Sequence, residues 1–262
     1  MTAWFCVLLF PLMAIAGTRS PEAQSRSDQP GSPTPETVSE DAWSPPRFKE
    51  REEERRNMVD VIRSYGLIDR AVLKAMSHVP RHEFVPEDLS RHAYRDSPLP
   101  IGYGQTISQP YIVAEMTRLL DLNAQSRVLE VGTGSGYQAA VLTEFTPHVY
   151  TVEIIKPLAT AAQKRLRRLG YTVAVVRHGD GYYGWPEKAP FDAIVVTAAA
   201  GEIPPPLLKQ LKPRGRMVIP VGPVFGTQSL MLVEKDETGK LHTKALMAVR
   251  FVPLTRDDKS KR

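Results

Sequence analysis

Cysteine is nearly absent: Cys6 is the single one in 262 residues, which excludes an internal disulfide, a thiol pair and a cysteine-rich zinc site. No apolar run reaches the ~20 residues of a bilayer-spanning helix; residues 3–16 are apolar but broken at Pro11. The histidines, His78, His82, His92, His148, His178 and His242, include no His-Glu-x-x-His, because His82-Glu83 lacks its second histidine. No metal is therefore expected. A convincing catalytic triad is missing as well, and no internal repeat is seen.

What is present is ordinary globular composition, 42% apolar and 24% charged, with a net charge of +5. The densest basic stretch, Lys164-Arg165-Leu166-Arg167-Arg168, lies among apolar residues at helical spacing. It reads as a solvated helix face, and no nucleic-acid partner is expected. Nor is stable membrane association, and the chain is expected to be a monomer.

Composition divides the chain. Residues 1–17 form an apolar leader in which Ala14-Ile15-Ala16 would suit a signal peptidase, yet no Lys or Arg precedes it. Residues 18–46 are rich in Ser, Pro, Glu, Asp and Gln and read as a disordered linker. The segment 47–123 carries N-terminal helices and an active-site loop. Met58, Ile62 and Tyr65 share one helical face ending near Gly66; Asp69 caps a second helix with Val72, Ala75, Met76 and Val79 inward, and Pro80 stops it. Between Pro86 and Pro110 the periodicity dissolves into a long loop whose aromatic and apolar members argue for function. A helix over 112–122 follows.

From 124 to 256 short apolar runs alternate with helical patterns, with a charged tail at 257–262. Strands are expected at 127–131, 149–152, 172–177, 191–196 and 216–220, and helices at 138–143, 156–169 and 206–211. That order predicts an α/β, doubly wound Rossmann-like sheet. Runs at 229–234 and 245–252 suggest an antiparallel edge.

Chemistry concentrates where the strand Val128-Leu-Glu-Val enters Gly132-Thr-Gly134-Ser-Gly136. Glycines permit positive φ and let a ligand lie against the backbone. The next strand ends at Glu153, about twenty residues on, where a carboxylate can accept both hydrogen bonds of a ribose diol. Tyr137 stands where a dinucleotide fingerprint wants its third glycine, and Asp180-Gly181 follows the next strand, placed to meet an adenine amino group. The pattern favours S-adenosylmethionine over a nicotinamide dinucleotide.

Several segments then carry a resemblance: Pro80-Arg-His-Glu-Phe-Val-Pro86, Ile101-Gly-Tyr-Gly-Gln-Thr-Ile-Ser-Gln-Pro110, Val128-Leu-Glu-Val-Gly-Thr-Gly-Ser-Gly-Tyr137, Gly179-Asp-Gly181, Ala189-Pro-Phe-Asp-Ala-Ile194, Leu211-Lys-Pro-Arg-Gly-Arg-Met217 and Val252-Pro-Leu-Thr255. Across about 59–255 the chain resembles the bacterial protein-L-isoaspartate (D-aspartate) O-methyltransferases. The Gln-Thr-Ile-Ser-Gln-Pro loop is close to diagnostic. Two features depart from the pattern: the chain before residue 47, and Arg214 where the family usually has a second glycine.

The resemblance implies methyl transfer from S-adenosylmethionine to the free α-carboxyl of L-isoaspartyl and D-aspartyl residues in damaged peptides and proteins, initiating their repair. A carboxylate of pKa ~4 is already ionised, so no general base is needed. Ser108 is implied as the active-site hydroxyl, with Ile107 beside the cofactor and Gln109 and Pro110 beside the substrate. Gly132 and Gly134 would take the methionine part, with Gly136 a further cofactor contact, Glu153 the ribose, Asp180 and Gly181 the adenine. Val252 is implied as a substrate contact and Thr255 as a cofactor contact.

Three other readings compete: a nicotinamide-dependent oxidoreductase, a methyltransferase of small carboxylic acids, and an exported binding protein without activity. The methyl donor is made in the cytoplasm, which is the expected compartment; cleavage of residues 1–17 would make it periplasmic or exported.

Overall fold

The computed structural model describes residues 43–224 and 226–257. The leader at 1–17, the linker up to 42 and the tail from 258 lie outside the described residues. The packed body includes Trp43, whose indole N–H donates to Thr143 O at 3.0 Å, so residues 43–46 belong to the fold and not to the linker.

Helix α1 (Glu52–Ser64) buries Met58, Val59 and Ile62. Tyr65, expected on that inward face, is instead 56% exposed. The helix ends one residue before it, and Tyr65 as C-cap leaves the helical period and sets its ring edge-on to Tyr111 at 5.1 Å. Helix α2 (Arg70–His78) starts as expected, with Asp69 accepting from Val72 N at 3.0 Å, and buries Val72, Ala75 and Met76.

The presumed loop before Pro110 is more regular than its sequence pattern. Two 3-10 turns, Arg81–Phe84 and Glu87–His92, lead into a hairpin of β1 (Leu99–Gly102) and β2 (Gln105–Ile107). Its turn residues Tyr103 and Gly104 both have positive φ, 54° and 70°, the sign that twisted two-residue hairpins require. Strands of four and three residues, one containing Pro100, are too short for an alternation to register. Helix α3 (Pro110–Leu120) starts two residues before expectation because Pro110 is preorganised for its first position.

The main sheet has β3 (Val128–Val131), β4 (Val149–Glu153), β5 (Ala174–His178), β6 (Phe191–Val196), β7 (Leu211–Val221), β8 (Gln228–Lys235) and β9 (Leu241–Val249) in the order β5-β4-β3-β6-β7-β8-β9. The first five are parallel; β8 and β9 are antiparallel additions at one edge. The α/β doubly wound expectation therefore holds, with an extended edge. Between these strands run α4 (Tyr137–Leu142), α5 (Lys156–Arg168) and α6 (Pro205–Gln210).

Alternate residues of the central strands feed different cores. Val128, Ala193, Val195 and Val218 join the N-terminal helices, whereas Leu129, Val131, Ile194, Val196 and Met217 form the opposite layer. Strands covered on both faces read as continuous apolar runs, which is why their positions were legible. Three boundaries move by three residues or more, one of them the start of β9 at Leu241 rather than 245. Strand β7 begins at Leu211 rather than 216, and β9 ends at Val249 rather than 252. Beyond it, 250–257 runs as a strap joined to the body by the parallel bridge Ala199↔Pro253.

Strand order reverses between β3 and β6, both parallel neighbours, so the chain leaves their carboxyl ends in opposite directions and opens a crevice there. Ligands of open α/β sheets bind at such points.

Candidate active site

Three carboxyl ends build one wall. After β3, Gly132, Gly134 and Gly136 have φ of 99°, 53° and 90°. A methyl added at Gly132 would overlap Thr197 Oγ1, the hydroxyl that follows β6 and donates to Gly132 O at 2.7 Å. Thr197 thus fills the space of the missing side chain and braces the turn. At Gly136 an added Cβ would sit 3.3 Å from Leu166, so this third glycine lets α4 pack on α5.

Glu153, at the end of β4, is 5% exposed. Its Oε2 accepts from Gly134 N at 2.8 Å and its Oε1 from Ile155 N at 2.9 Å. Two backbone donors fix the carboxylate, and each oxygen keeps a further lone pair. After β5, Gly181 backs onto Val131, whose Cγ1 would lie 2.5 Å from an added Cβ. Gly132, Gly134, Glu153, Gly181 and Thr255 line one groove.

Beside it lies a cavity of about 370 Å³ bordered by Ser108, Gln109, Arg250 and Phe251. Thr106, Thr197 and Val252 line both spaces, so groove and cavity adjoin across these three residues. Ser108 follows β2, half-buried, and its hydroxyl makes no hydrogen bond among the described residues. Ile107 is buried in the core and borders a small space beneath the glycine turn. Gln109 caps α3, and its side-chain amide donates to Asp96 Oδ2 at 2.6 Å; Pro110 is buried as the first residue of that helix.

Two contributors escaped the sequence reading besides Thr197. Asp96 also accepts from Tyr111 N at 2.8 Å, tying down the start of α3. Glu130 is 0% exposed, and neither carboxylate oxygen makes a well-formed hydrogen bond; its polar neighbour is the Thr151 hydroxyl, which also lies 2.6 Å from Thr133 Oγ1. Burial, reinforced by the charge of Glu153, pushes the Glu130 carboxyl up to about 8. Only the acidic residue within the β3 run signalled it. Asp180 is more occupied than its sequence position suggests: it accepts from Tyr182 N at 3.0 Å, Arg256 Nε at 3.0 Å and Asp257 N at 3.3 Å.

A cradle of glycines, a fully buried carboxyl and a fixed carboxylate at the next strand end suit a nucleoside with a cationic amino-acid tail. Among the described residues no group of three or more His, Cys, Asp or Glu is placed to hold a metal ion. No helix there is long and apolar enough to cross a membrane.

Residues 53–259 match the family model described as protein-L-isoaspartate(D-aspartate) O-methyltransferase. The chain belongs to that family. It is 61% identical over 207 residues to protein-L-isoaspartate O-methyltransferase 2 of Syntrophobacter fumaroxidans, covering 79% of this chain and 83% of that one. The protein-L-isoaspartate O-methyltransferase of Opitutus terrae is 59% identical over 208 residues, 79% of this chain and 89% of its own. A solved structure from Plasmodium falciparum, a putative family member in complex with S-adenosyl-L-homocysteine, superposes with a TM-score of 0.66 at 26% identity, over 77% of this chain and 98% of that one. Membership decides against the oxidoreductase reading and makes this an S-adenosylmethionine-dependent methyltransferase.

Proposed function

We propose that the protein transfers a methyl group from S-adenosylmethionine to the free α-carboxyl of L-isoaspartyl and D-aspartyl residues in damaged peptides and proteins, initiating their repair. The nucleoside groove adjoins the cavity bordered by Ser108 across Thr106, Thr197 and Val252, and that adjacency carries this reading, since it sets donor and acceptor side by side.

The donor supplies an electrophilic methyl on a sulfonium. Gly132 and Gly134 give its methionine portion room, and Glu130 beneath the turn, on giving up its proton, becomes a counter-charge to the ammonium. Glu153 accepts from the ribose, while Asp180 and Gly181 border the adenine, with Thr255 and Ile107 closing the sides. Ser108 donates to the acceptor carboxylate and orients it, with Gln109, Pro110 and Val252 shaping the pocket. The carboxylate arrives ionised, so the residues act by alignment and exclusion of water, which are worth several powers of ten in rate when reacting atoms are held in line.

The protein works as a cytoplasmic monomer without metal or nucleic acid, its donor being made in that compartment. Incubation with tritiated S-adenosylmethionine and an isoaspartyl peptide should yield a base-labile methyl ester. Labelling confined to small free acids would transfer the assignment to a small-molecule methyltransferase. Amino-terminal sequencing of the natural protein showing cleavage near Ala16 would move it to the periplasm or outside.

A further inference from the structure

We infer that Arg256 is a positioning residue that clasps the strap 252–257 over the nucleoside end of the groove and thereby sets how fast the nucleoside leaves. The inference rests on the groove assignment above.

Three contacts converge on this side chain. Its Nε donates to Asp180 Oδ2 at 3.0 Å, and the Asp180 side chain is only 7% exposed. Its guanidinium carbon lies 3.5 Å from the centre of the Tyr182 ring and 5.1 Å from that of Tyr183. Tyr182 in turn donates its backbone N–H to Asp180 Oδ1 at 3.0 Å. A planar cation that pairs with a largely buried carboxylate and stacks on a ring is held in both directions, which a lysine would not reproduce.

Location gives the clasp its effect. The strap is pinned at its near end by Ala199 N donating to Val252 O and Leu254 N donating to Ala199 O, each at 2.8 Å. Residues 252–255 line the groove. The far end has Arg256 and the Asp257 amide on Asp180, next to Gly181 where the adenine would rest. Asp180 thus bears both the nucleoside's border and the strap's fastening, so leaving the groove requires the strap to lift and the Arg256 contacts to break. Changes within one binding site appear mainly in the dissociation rate.

The test is S-adenosylhomocysteine release from the full-length protein, by stopped-flow chase, with affinity by calorimetry. Arg256→Met keeps the apolar stem and removes the charge. It should speed release by about tenfold and weaken affinity in proportion, with Arg256→Lys in between. The wild-type rate should rise with added salt while that of Arg256→Met stays flat, because the guanidinium side is partly exposed. Unchanged release and affinity in Arg256→Met would overturn the clasp while leaving the groove assigned. Slower release or tighter binding would show Arg256 competing with the adenine and would overturn it equally. Failure of the wild-type protein to bind the nucleoside would remove the groove assignment and the clasp together.

Discussion

Asp96 holds Gln109 by its side-chain amide at 2.6 Å, and through the same carboxylate it fixes the backbone of Tyr111 at 2.8 Å. The residue preceding Gln109 is Ser108, so this clamp holds the backbone beside the hydroxyl proposed to meet the acceptor. Asp96→Ala should lower kcat/KM for an isoaspartyl peptide by about tenfold, since small misplacements of reacting groups cost that much or more. Affinity for S-adenosylhomocysteine should stay within about twofold. Equal losses in both would show general loosening instead of mispositioning.

Ser108→Ala tests the hydroxyl directly. Removal of one hydrogen bond to a charged group costs about 1.5–3 kcal/mol, so kcat/KM should fall roughly 10- to 150-fold by steady-state kinetics. Unchanged kinetics would take Ser108 out of the reaction.

Glu130 gives the fold a pH dependence. Its carboxyl, pushed up to about 8 chiefly by burial, keeps in the folded chain a proton that the unfolded chain, near its ordinary pKa of ~4.3, gives up. The stability this contributes is complete below about pH 4 and is lost as pH rises toward about 8. Glu130→Gln should therefore flatten the decline of Tm over that window in scanning calorimetry. If the donor's ammonium seats against Glu130, binding near pH 7 should release a proton, seen as heats that vary with buffer ionisation enthalpy, and Glu130→Gln should abolish the variation.

Gly132→Ala should abolish cofactor binding and lower stability by about 1–3 kcal/mol, because φ is 99° and the added methyl overlaps Thr197. The double change with Thr197→Ala should recover part of the stability in urea unfolding, the overlap being relieved and the strained angle not.

At position 214 the chain carries a different burden. Arg214 has φ 63°, in the left-handed region that favours glycine. Its pairing with Glu237 is largely exposed and contributes little. Arg214→Gly should raise stability by about 0.5–1 kcal/mol in urea unfolding.

Local signals explain what the sequence disclosed. The strand runs ending in Val131, Glu153 and Val196 are apolar and short, and the glycine turn sits at a fixed distance from Glu153, so the sheet, the turn and the carboxylate that closes on it were all readable. Thr197 was not, because its role depends on β6 lying beside β3, a pairing of residues 65 positions apart. The Asp180–Arg256 contact spans 76 positions and was equally hidden. The hairpin around Tyr103-Gly104 escaped because strands so short leave no periodicity to detect. Tyr65 misled the reading because helical spacing continues on paper past the point where α1 stops.

The hydroxyl of Thr197 and the bare backbone of Gly132 share one volume, and that joins the histories of two distant codons. A lineage that enlarges position 132 must first empty position 197, and one that enlarges 197 presses on a turn with nothing left to trim. A larger residue at 132 should therefore be found only beside a smaller one at 197.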